Sequence, residues 1–346
     1  MTIRKTILKV ASVSIATMIS STAIAADTVN IYSYRQPDLI APLLEEFTKQ
    51  TGIETRVQFL KKGMVEKLKA EGVNSPADVI MTVDIGRLSE ITNAGVTQTL
   101  NNDTINSNIP QSFRDPSGNW FGLTMRGRVV YASKDRVEQD AITYEELSDP
   151  KWKGKICTRS GQHAYNIALI ASMIANKGEE YTETWLTGVK NNLARKPNGN
   201  DRAQAKGIFS GECDLGLGNT YYVGLMQNNE KDPGQKEWAK SMKVLFPNTS
   251  DRGTHVNLSG MALAKHSPNK DAAVKLMEFL SSGTAQELYA EVVYEYPLKE
   301  DAQASDTVKG FGEIKPDSLS LEAIAKLRKQ ASQLVDKVGY DDGPSS

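Results

Sequence analysis

The sequence predicts an α/β protein of two lobes, each a doubly wound mixed sheet with helices on both faces. Three observations support this class. Strand and helix patterns alternate through the first hundred residues, a rhythm typical of a parallel sheet covered on both sides. The 346 residues exceed what one hydrophobic core usually serves. Apolar β runs at 120–133 and 255–264 are placed to carry the chain from one lobe to the other and back.

The amino terminus has the pattern of an export signal. It is basic at Arg4, Lys5 and Lys9, mildly apolar from Val10 to Ile24, and ends in an Ala-x-Ala pattern. This order predicts a secretory signal peptide over residues 1–25. A membrane anchor is the alternative, but the apolar run contains serines and threonines and is shorter than the ~20 residues a span needs.

Composition excludes some partners. Charged residues make up 24% and apolar residues 39% of the chain, which fits a soluble globular protein. Cleavage of the signal would change the formal charge from −1 to −4, because the removed piece has three basic residues and no acid. A mature chain of this charge offers no electrostatic footprint for nucleic acid.

Hydrophobic periodicity orders the elements of the first lobe. Alternating β formers predict a strand at 28–34, and Leu39, Leu43, Leu44 and Phe47 keep the spacing of a helix that opens at Pro37 or Asp38. The same two patterns then predict strands at 54–59 and 77–82, and helices at 63–70 and from residue 85 to near Gly95.

The remaining elements follow the same rules, with crossings predicted at 125–133 and 250–262. They are strands at 155–159 and 212–218, helices at 166–177, 184–195, from Asn200 or Asp201, at 223–228, 269–282, 284–294 and 318–338, a loop at 247–253 and a disordered tail at 341–346. These boundaries assign 26–126 plus 254–300 to the N-terminal lobe and 127–253 plus 301–346 to the C-terminal lobe.

The chain contains two cysteines, Cys157 and Cys213. An even number in an exported protein predicts one disulfide, here closing a loop of 56 residues. Two free buried thiols are the alternative. The wide spacing, without a Cys-x-x-Cys pattern, argues against a metal or redox site.

Two adjacent tyrosines, Tyr221 and Tyr222, follow a Gly-Asn-Thr turn. Neighbouring strand residues point to opposite faces, so both rings reach one site only if the backbone turns there. The flanking patterns place the pair where a strand passes into a helix, at the carboxyl end of a sheet, where open α/β sheets bind ligands. Tyr165 also follows a strand, so three phenols could converge on one rim. The alternative is that one tyrosine of the pair lies in the core and the other on the surface.

Three phenols form an unusual set of ligands, which only a few metal ions would bind at neutral pH. An ionised phenolate is a hard, anionic oxygen donor. Because the free pKa of phenol is near ~10, only a strongly acidic cation displaces its proton at neutral pH. Fe³⁺ satisfies this requirement, and three phenolates balance its charge. A carbohydrate or amine site, in which tyrosines stack and donate hydrogen bonds, is the alternative.

Signals of catalysis are weak. There is no Gly-x-Ser-x-Gly elbow and no His-Glu-x-x-His motif, and the histidines His163, His255 and His266 stand in three separate segments. The run beginning at Gly216 lacks the third glycine of a dinucleotide fingerprint. We therefore expect a binding protein, with a periplasmic enzyme as the rival from another class.

The whole mature chain resembles the periplasmic ferric-ion-binding proteins that supply iron ABC importers. The motifs that carry this resemblance are Gly161-Gln-His-Ala-Tyr165-Asn, Asn200-Asp201-Arg202, Gly218-Asn-Thr-Tyr221-Tyr222, Ile31-Tyr-Ser-Tyr-Arg35, Asp84-Ile-Gly-Arg-Leu88, Leu123-Thr-Met-Arg126-Gly-Arg128 and Gly253-Thr-His-Val-Asn-Leu-Ser-Gly260. The resemblance implies a type II two-lobe binding-protein fold, Fe³⁺ held by Tyr165, Tyr221 and Tyr222, an inner-membrane ABC permease as partner, and a monomer in the periplasm.

The chain departs from this family in one turn. Several members place a His, or a His-Tyr pair, after the first strand, whereas this turn is Arg35-Gln36-Pro37. The resemblance then implies that carbonate, bicarbonate or another small anion completes the iron site. Arg35 and Arg126 are the expected anion holders, because guanidinium forks match planar oxyanions, with Arg202 and Gln36 as outside candidates. For each arginine, a salt bridge between lobes or a solvated position is the alternative.

Other aromatic and basic residues are predicted to have supporting roles. Tyr32 and Tyr34 share one strand face and fit the core and the cleft wall better than a ligand role. His163 is predicted to be a supporting or surface residue, and His255 to form hydrogen bonds at the hinge. A similar protein for an oxyanion, a polyamine or a sugar remains the rival within the binding class.

Overall fold

The structure is a computed structural model that describes residues 28–344. The predicted signal peptide lies outside the described residues. Within them the strands are β1 Thr28–Ser33, β2 Glu54–Phe59, β3 Val79–Thr82, β4 Phe121–Ser133, β5 Ile156–Cys157, β6 Leu215–Asn219, β7 Met242–Leu245, β8 Val256–Leu263 and β9 Tyr296–Pro297. None of the helices in this part of the chain is both long and apolar enough to cross a bilayer.

Helices cover both faces of these strands. In chain order they are α1 Ala41–Thr51, α2 Met64–Glu71, α3 Ile85–Asn93, α4 Asp103–Asn108, α5 Ala164–Lys177, α6 Glu179–Asn191, α7 Asp201–Phe209, α8 Thr220–Gln227, α9 Gly234–Lys240, α10 Lys270–Ser281, α11 Gly283–Val293, α12 Asp306–Lys309, α13 Leu321–Lys326 and α14 Arg328–Lys337.

The predicted α/β class and mixed sheets are confirmed. In the first lobe β1 pairs in parallel with β2 and β3, and β8 joins β3 in the antiparallel sense. In the second lobe β5 and β6 are parallel, while β4 runs antiparallel to β6 and β7. Parallel neighbours require crossover connections, which α1, α2 and α7 provide.

Strand β4 belongs to both sheets and carries the chain between them. Its first part pairs with β8 as far as Gly127, and from Arg128 onward it pairs with β6. The two predicted β runs at 120–123 and 126–133 are therefore one strand, with a register shift between Gly122 and Thr124. The crossing point lies beside Val256, where the chain returns into β8.

Several predicted bounds differ from the structure, as at the helix predicted over 184–195, which spans Glu179–Asn191. Two segments differ in kind. The helix expected over 318–338 is divided at Leu327, whose amide bonds to the Ile324 carbonyl in a tight turn and thereby separates α13 from α14. The tail was expected to be disordered from Asp341. Instead the Asp341 carboxylate accepts hydrogen bonds from Ser160 Oγ and Gly161 N, at 2.6 Å each, because it meets a turn that lies 180 residues earlier.

The predicted disulfide joins Cys157 and Cys213, whose Cα atoms are 5.9 Å apart. Both cysteines are buried. The bond ties β5 to the segment entering β6, and these two strands lead to Tyr165 and to the tyrosine pair.

We predict that the double substitution Cys157→Ala/Cys213→Ala lowers the free energy of unfolding by about 3 kcal/mol, since the unfolded chain regains a long open loop. Urea unfolding of both proteins under oxidising conditions measures the change. The reduced wild-type protein should match the double variant, and equal midpoints for the oxidised wild type and the variant would contradict a stabilising bond.

Candidate metal centre

The tyrosine pair stands at the junction of β6 and α8. Strand β6 ends at Asn219 with extended backbone angles, and α8 begins at Thr220. Tyr221 and Tyr222 therefore occupy the first helical turn. Their rings are stacked, with centroids 4.3 Å apart. This is the turn that the sequence required for both rings to reach one place.

Tyr165 occupies the equivalent position at the start of α5. His163 caps this helix, and its Nδ1 accepts a hydrogen bond of 3.2 Å from the Tyr165 amide. Burial, followed by the charges of Arg159 and Arg128, lowers the pKa of His163 to about 4. The imidazole is therefore neutral near pH 7, which is the form that can accept this bond.

The three phenols form one group. The hydroxyls of Tyr165 and Tyr221 lie 3.2 Å apart. Burial, then the neighbouring Tyr165 and Tyr222, raises the pKa of Tyr221 well above its usual range. Burial also raises the pKa of Tyr222, although a side-chain hydrogen bond with Tyr221 opposes this shift. These two phenols are thus neutral without a ligand, and only a strong Lewis acid would displace their protons.

Arginines surround the phenol group. The guanidinium carbons of Arg126, Arg128 and Arg159 lie 5.9, 5.9 and 5.2 Å from the centroid of the Tyr165 ring. Arg202 lies 5.0 Å from the ring centroid of Tyr222. Positive charge close to phenols favours their ionised form and opposes the effect of burial.

A buried carboxylate fixes the arginines of the second lobe. Asp201 is fully buried and accepts from Arg128 Nη1 at 2.7 Å and from Arg159 Nη1 at 3.0 Å. It also accepts a bond of 2.9 Å from the Asn219 amide, directly before α8. Arg128 in turn donates to Asn166 Oδ1 at 2.7 Å, beside Tyr165. One network therefore positions both strand ends that carry tyrosines.

A second buried carboxylate, Glu295, binds the two arginines that were predicted to hold an anion. It accepts from Arg35 Nη2 at 2.8 Å, and Arg126 Nη1 lies 3.9 Å away. Thr124 and Ser259 donate to the same carboxylate at 2.6 and 2.7 Å. The Nε atoms of both arginines are buried and form no hydrogen bond within the described part of the chain.

Arg126 also joins the two lobes. Its guanidinium donates to the Val83 carbonyl in the first lobe, while its other side faces Tyr165 in the second. Arg35 donates to Ser259 Oγ, and although burial opposes it, Glu295 and the phenols of Tyr289 and Tyr221 raise the pKa of its guanidinium. Both arginines therefore stand at the boundary between the glutamate and the phenols.

The other predicted residues have different surroundings. Gln36 is exposed in the turn after β1. Tyr32 and Tyr34 are buried in the first lobe, where the Tyr32 hydroxyl donates to Glu71 and the Tyr34 hydroxyl accepts from the Met64 amide.

His255 is buried at the hinge, where its backbone carbonyl accepts from the Arg128 amide at 2.9 Å. The predicted hinge hydrogen bond is therefore confirmed for its main chain. The ring Nδ1 of His255 is buried and has no hydrogen-bond partner among the described residues.

Sequence reasoning missed four residues of this centre. Asp201 was given only as a possible helix start and as part of a motif, and Arg128, Arg159 and Glu295 were given no role. The alternation of Arg126 and Arg128 on one β run could have signalled the second arginine. No local pattern could have revealed Glu295, because its partner Arg35 lies 260 residues away in the chain.

Gly218 lies on β6 just before the tyrosine pair, at a position without space for a side chain. A Cβ at this position would lie 2.1 Å from the ring of Tyr131, whose hydroxyl donates to the Asn219 carbonyl at 2.5 Å. We predict that Gly218→Ala displaces this ring, lowers the free energy of unfolding by about 1–3 kcal/mol and weakens metal binding.

Denaturant unfolding and metal titration measure the two effects. Gly283→Ala is the matched control, because the nearest atom to its new Cβ is 4.0 Å away. Equal stability of the two alanine variants would show that Tyr131 does not restrict this position.

The donor set limits which ion the centre can hold. Within residues 28–344 there is no group of three or more His, Cys, Asp or Glu side chains arranged to hold a metal. Phenol oxygens, of which those of Tyr165 and Tyr221 lie 3.2 Å apart, are donors that suit a small, highly charged cation.

Comparisons with known sequences agree on one kind of protein. The family model described as bacterial extracellular solute-binding protein matches residues 32–287. Iron uptake protein A1 of Synechocystis is 41% identical over 314 residues, which cover 90% of this chain and 87% of that protein. The major ferric iron-binding protein of Neisseria meningitidis serogroup B is 26% identical, over 94% of this chain and 96% of the relative.

Solved structures give the same result. The Bordetella ferric binding protein is 51% identical, with a TM-score of 0.87, covering 91% of this chain and 100% of that one. A Trichodesmium protein solved in complex with iron and citrate ligands is 41% identical, with a TM-score of 0.86, covering 90% of this chain and 99% of the other.

Proposed function

Because this chain belongs to the bacterial extracellular solute-binding protein family, we propose that it captures Fe³⁺ in the periplasm and delivers it to an ABC permease. The fold is that of type II periplasmic ferric-binding proteins. The family is one of solute-binding transport proteins and not of enzymes. The relatives named for iron uptake and ferric binding support iron as the cargo.

The observation that carries the proposal is the convergence of three phenols. Tyr165, Tyr221 and Tyr222 lie together at the carboxyl ends of β5 and β6, with two hydroxyls 3.2 Å apart. In this proposal each phenol loses its proton to become a ligand. Three phenolates then neutralise Fe³⁺, whereas Fe²⁺ is poorly matched to them, so reduction of the iron would favour release.

An anion would complete the site. Five arginines stand near the phenols: Arg35, Arg126, Arg128, Arg159 and Arg202. Two buried carboxylates form ion pairs with members of this group. The positive charge that remains favours an anion such as carbonate or bicarbonate. Arg35 and Arg126, which share Glu295 at the boundary between the lobes, are the proposed holders, with Arg202 and Gln36 as further candidates.

We assign residues 26–126 plus 254–300 to the N-terminal lobe and 127–253 plus 301–346 to the C-terminal lobe. The passage of β4 from one sheet to the other after Gly127 supports the first boundary. In this proposal the lobes close over the iron by a hinge motion at β4 and β8. The protein acts as a monomer after its signal peptide, residues 1–25, has been removed in export.

A spectroscopic titration of the mature protein tests the function. We expect Fe³⁺ to produce a visible phenolate-to-iron charge-transfer band at one equivalent, and we expect bicarbonate to strengthen binding. Fe²⁺, a polyamine and a sugar serve as the comparison ligands. A colourless protein that binds one of these and not Fe³⁺ would overturn the assignment, and binding unaffected by bicarbonate or other carboxylates would exclude the anion.

A further inference from the structure

The C-terminal segment, residues 321–342, contacts both lobes on the side of the centre where Tyr165 lies. Helix α13 packs against α3 of the first lobe and against α5, which carries Tyr165, and α14 continues along α5. None of the proposed iron ligands or anion holders lies in this segment. Several of its hydrogen bonds reach the turn at residues 160–163, which leads directly into Tyr165.

Asp341 holds the beginning of that turn. Its carboxylate accepts hydrogen bonds of 2.6 Å from Ser160 Oγ and from the Gly161 amide. The segment also closes on the backbone, since a Cβ at Gly161 would lie 2.7 Å from Tyr340 and 2.8 Å from Val335. The turn therefore fits against the C-terminal segment without space for a side chain.

Gln162 adds a second attachment. Its Nε2 donates to Asp336 Oδ1 at 2.8 Å, and its Oε1 accepts from Ser332 Oγ at 2.7 Å. Both partners belong to α14. With Asp341, these bonds attach three successive residues of the turn, Ser160, Gly161 and Gln162, to one helix and the short turn that follows it. The backbone before Tyr165 is thus fixed by a part of the chain about 170 residues later.

Arg328 connects this arrangement to the other lobe. Its Nη1 lies 3.5 Å from the carbonyl of Ala164, the residue before Tyr165. Its guanidinium also lies flat against Gly86 in the first turn of α3, where a Cβ would be 2.6 Å from Cζ. One side chain therefore spans from the first lobe to the helix end that carries Tyr165.

We propose that residues 321–342 form a strut that positions Tyr165 and locks the first lobe against the second. Asp341 is the positioning residue for the turn, and Arg328 is the lock. In this structure Arg328 contacts both lobes, so the lock favours this arrangement over more separated ones and slows release of the metal. The effect on release rests on the proposed ferric function, whereas the positioning of the turn does not.

The lock is tested by the rate of iron transfer to excess EDTA, followed through the charge-transfer band. We expect Arg328→Ala and Gly86→Ala each to release iron about fivefold faster, with the band position unchanged, because both weaken a contact between the lobes and leave the three phenols in place. Gly86→Ala removes no charged group and displaces only the Arg328 guanidinium. Lys329→Ala, an exposed neighbour on the same helix, is the matched control.

The positioning role is tested on the metal-free protein by amide hydrogen exchange over Gly161–Tyr165. We expect Asp341→Asn to accelerate exchange about tenfold, as loss of charge-assisted bonds predicts, and Asp342→Asn, its exposed neighbour, to have no effect.

Two results would overturn the proposal. If both Arg328→Ala and Gly86→Ala release iron at the rate of Lys329→Ala, there is no lock. If Asp341→Asn exchanges like Asp342→Asn, the strut does not position the turn. If the wild-type protein shows no ferric band, the proposed function fails. The lock is then judged by exchange at the start of α3, which Arg328→Ala must accelerate relative to Lys329→Ala.

Discussion

Tyr222→Phe is expected to reduce ferric affinity by well over the 10- to 100-fold that loss of an outer partner of a metal ligand costs. The phenyl ring preserves the stack on Tyr221, so only the oxygen donor is removed. Two phenolates cannot neutralise Fe³⁺, and the remaining positive charge would face the arginines around the site. Competition against a chelator of known strength measures the affinity, and the charge-transfer band should weaken in the same titration.

The fold should survive this substitution. The Tyr222 ring is partly exposed, and the stability change is expected to stay below about 1 kcal/mol, the usual value of one hydrogen bond. Tyr181→Phe removes a hydroxyl from an exposed tyrosine on α6 and is the matched control. Ferric affinity equal to that of Tyr181→Phe would remove Tyr222 from the ligand set.

Glu295→Gln is expected to lower the free energy of unfolding by about 3–5 kcal/mol, the cost of breaking a buried ion pair from one side. The carboxylate is fully buried and bonded to Arg35, Thr124 and Ser259. Its loss leaves two buried guanidinium groups, Arg35 and Arg126, without a counter-charge. Denaturant unfolding at neutral pH measures the loss, with Glu291→Gln, an exposed glutamate on α11 shortly before Glu295, as the control.

The pH dependence of stability gives an independent test. Although burial opposes ionisation, Arg35 and Arg126 hold the pKa of Glu295 at about 2, below its usual value of 4.5. The folded carboxylate therefore stays ionised where the unfolded one binds a proton. Its contribution is complete above about pH 4.5 and is lost as the pH falls toward 2. Stability of Glu295→Gln should fall less steeply across this range, and an equal slope in both proteins would contradict the ion pair.

The same variant separates two roles of the arginines. If Arg35 and Arg126 hold the anion, removing their shared carboxylate frees more of their donors for it. Anion-dependent ferric binding should then persist in Glu295→Gln at temperatures where the variant is folded. Complete loss of bicarbonate dependence in folded protein would show that the glutamate is needed to orient the arginines.

Local patterns were sufficient for most of the fold. The alternation of β formers located β1, β2 and β3, and the 3.6-residue spacing located the helices between them. The centre was predictable to the same degree. Adjacent tyrosines after a Gly-Asn turn can reach one site only if the backbone turns there, and the structure has them in the first turn of a helix. Parallel strands then bring Tyr165 to the same rim, because their carboxyl ends share one edge.

Tertiary structure decided what surrounds the tyrosines. Glu295 pairs with Arg35 across 260 residues, and Asp341 meets Ser160 across 181. Such pairs are formed by packing after distant elements meet, so neither partner has a periodic neighbour that would mark it in the sequence. The disulfide was predictable because only two cysteines exist, whereas a glutamate or an arginine has some forty possible partners of opposite charge.

The sequence by itself determined the α/β class, the turn that presents the tyrosines and the chemistry of their oxygens. These depend on the spacing of neighbouring residues and on the nature of each side chain. Only the tertiary structure decided which carboxylate pairs with which arginine, and how the C-terminal segment binds the turn before Tyr165. The physical reason is that burial and ion pairing are properties of the packed chain, in which residues far apart along it become neighbours.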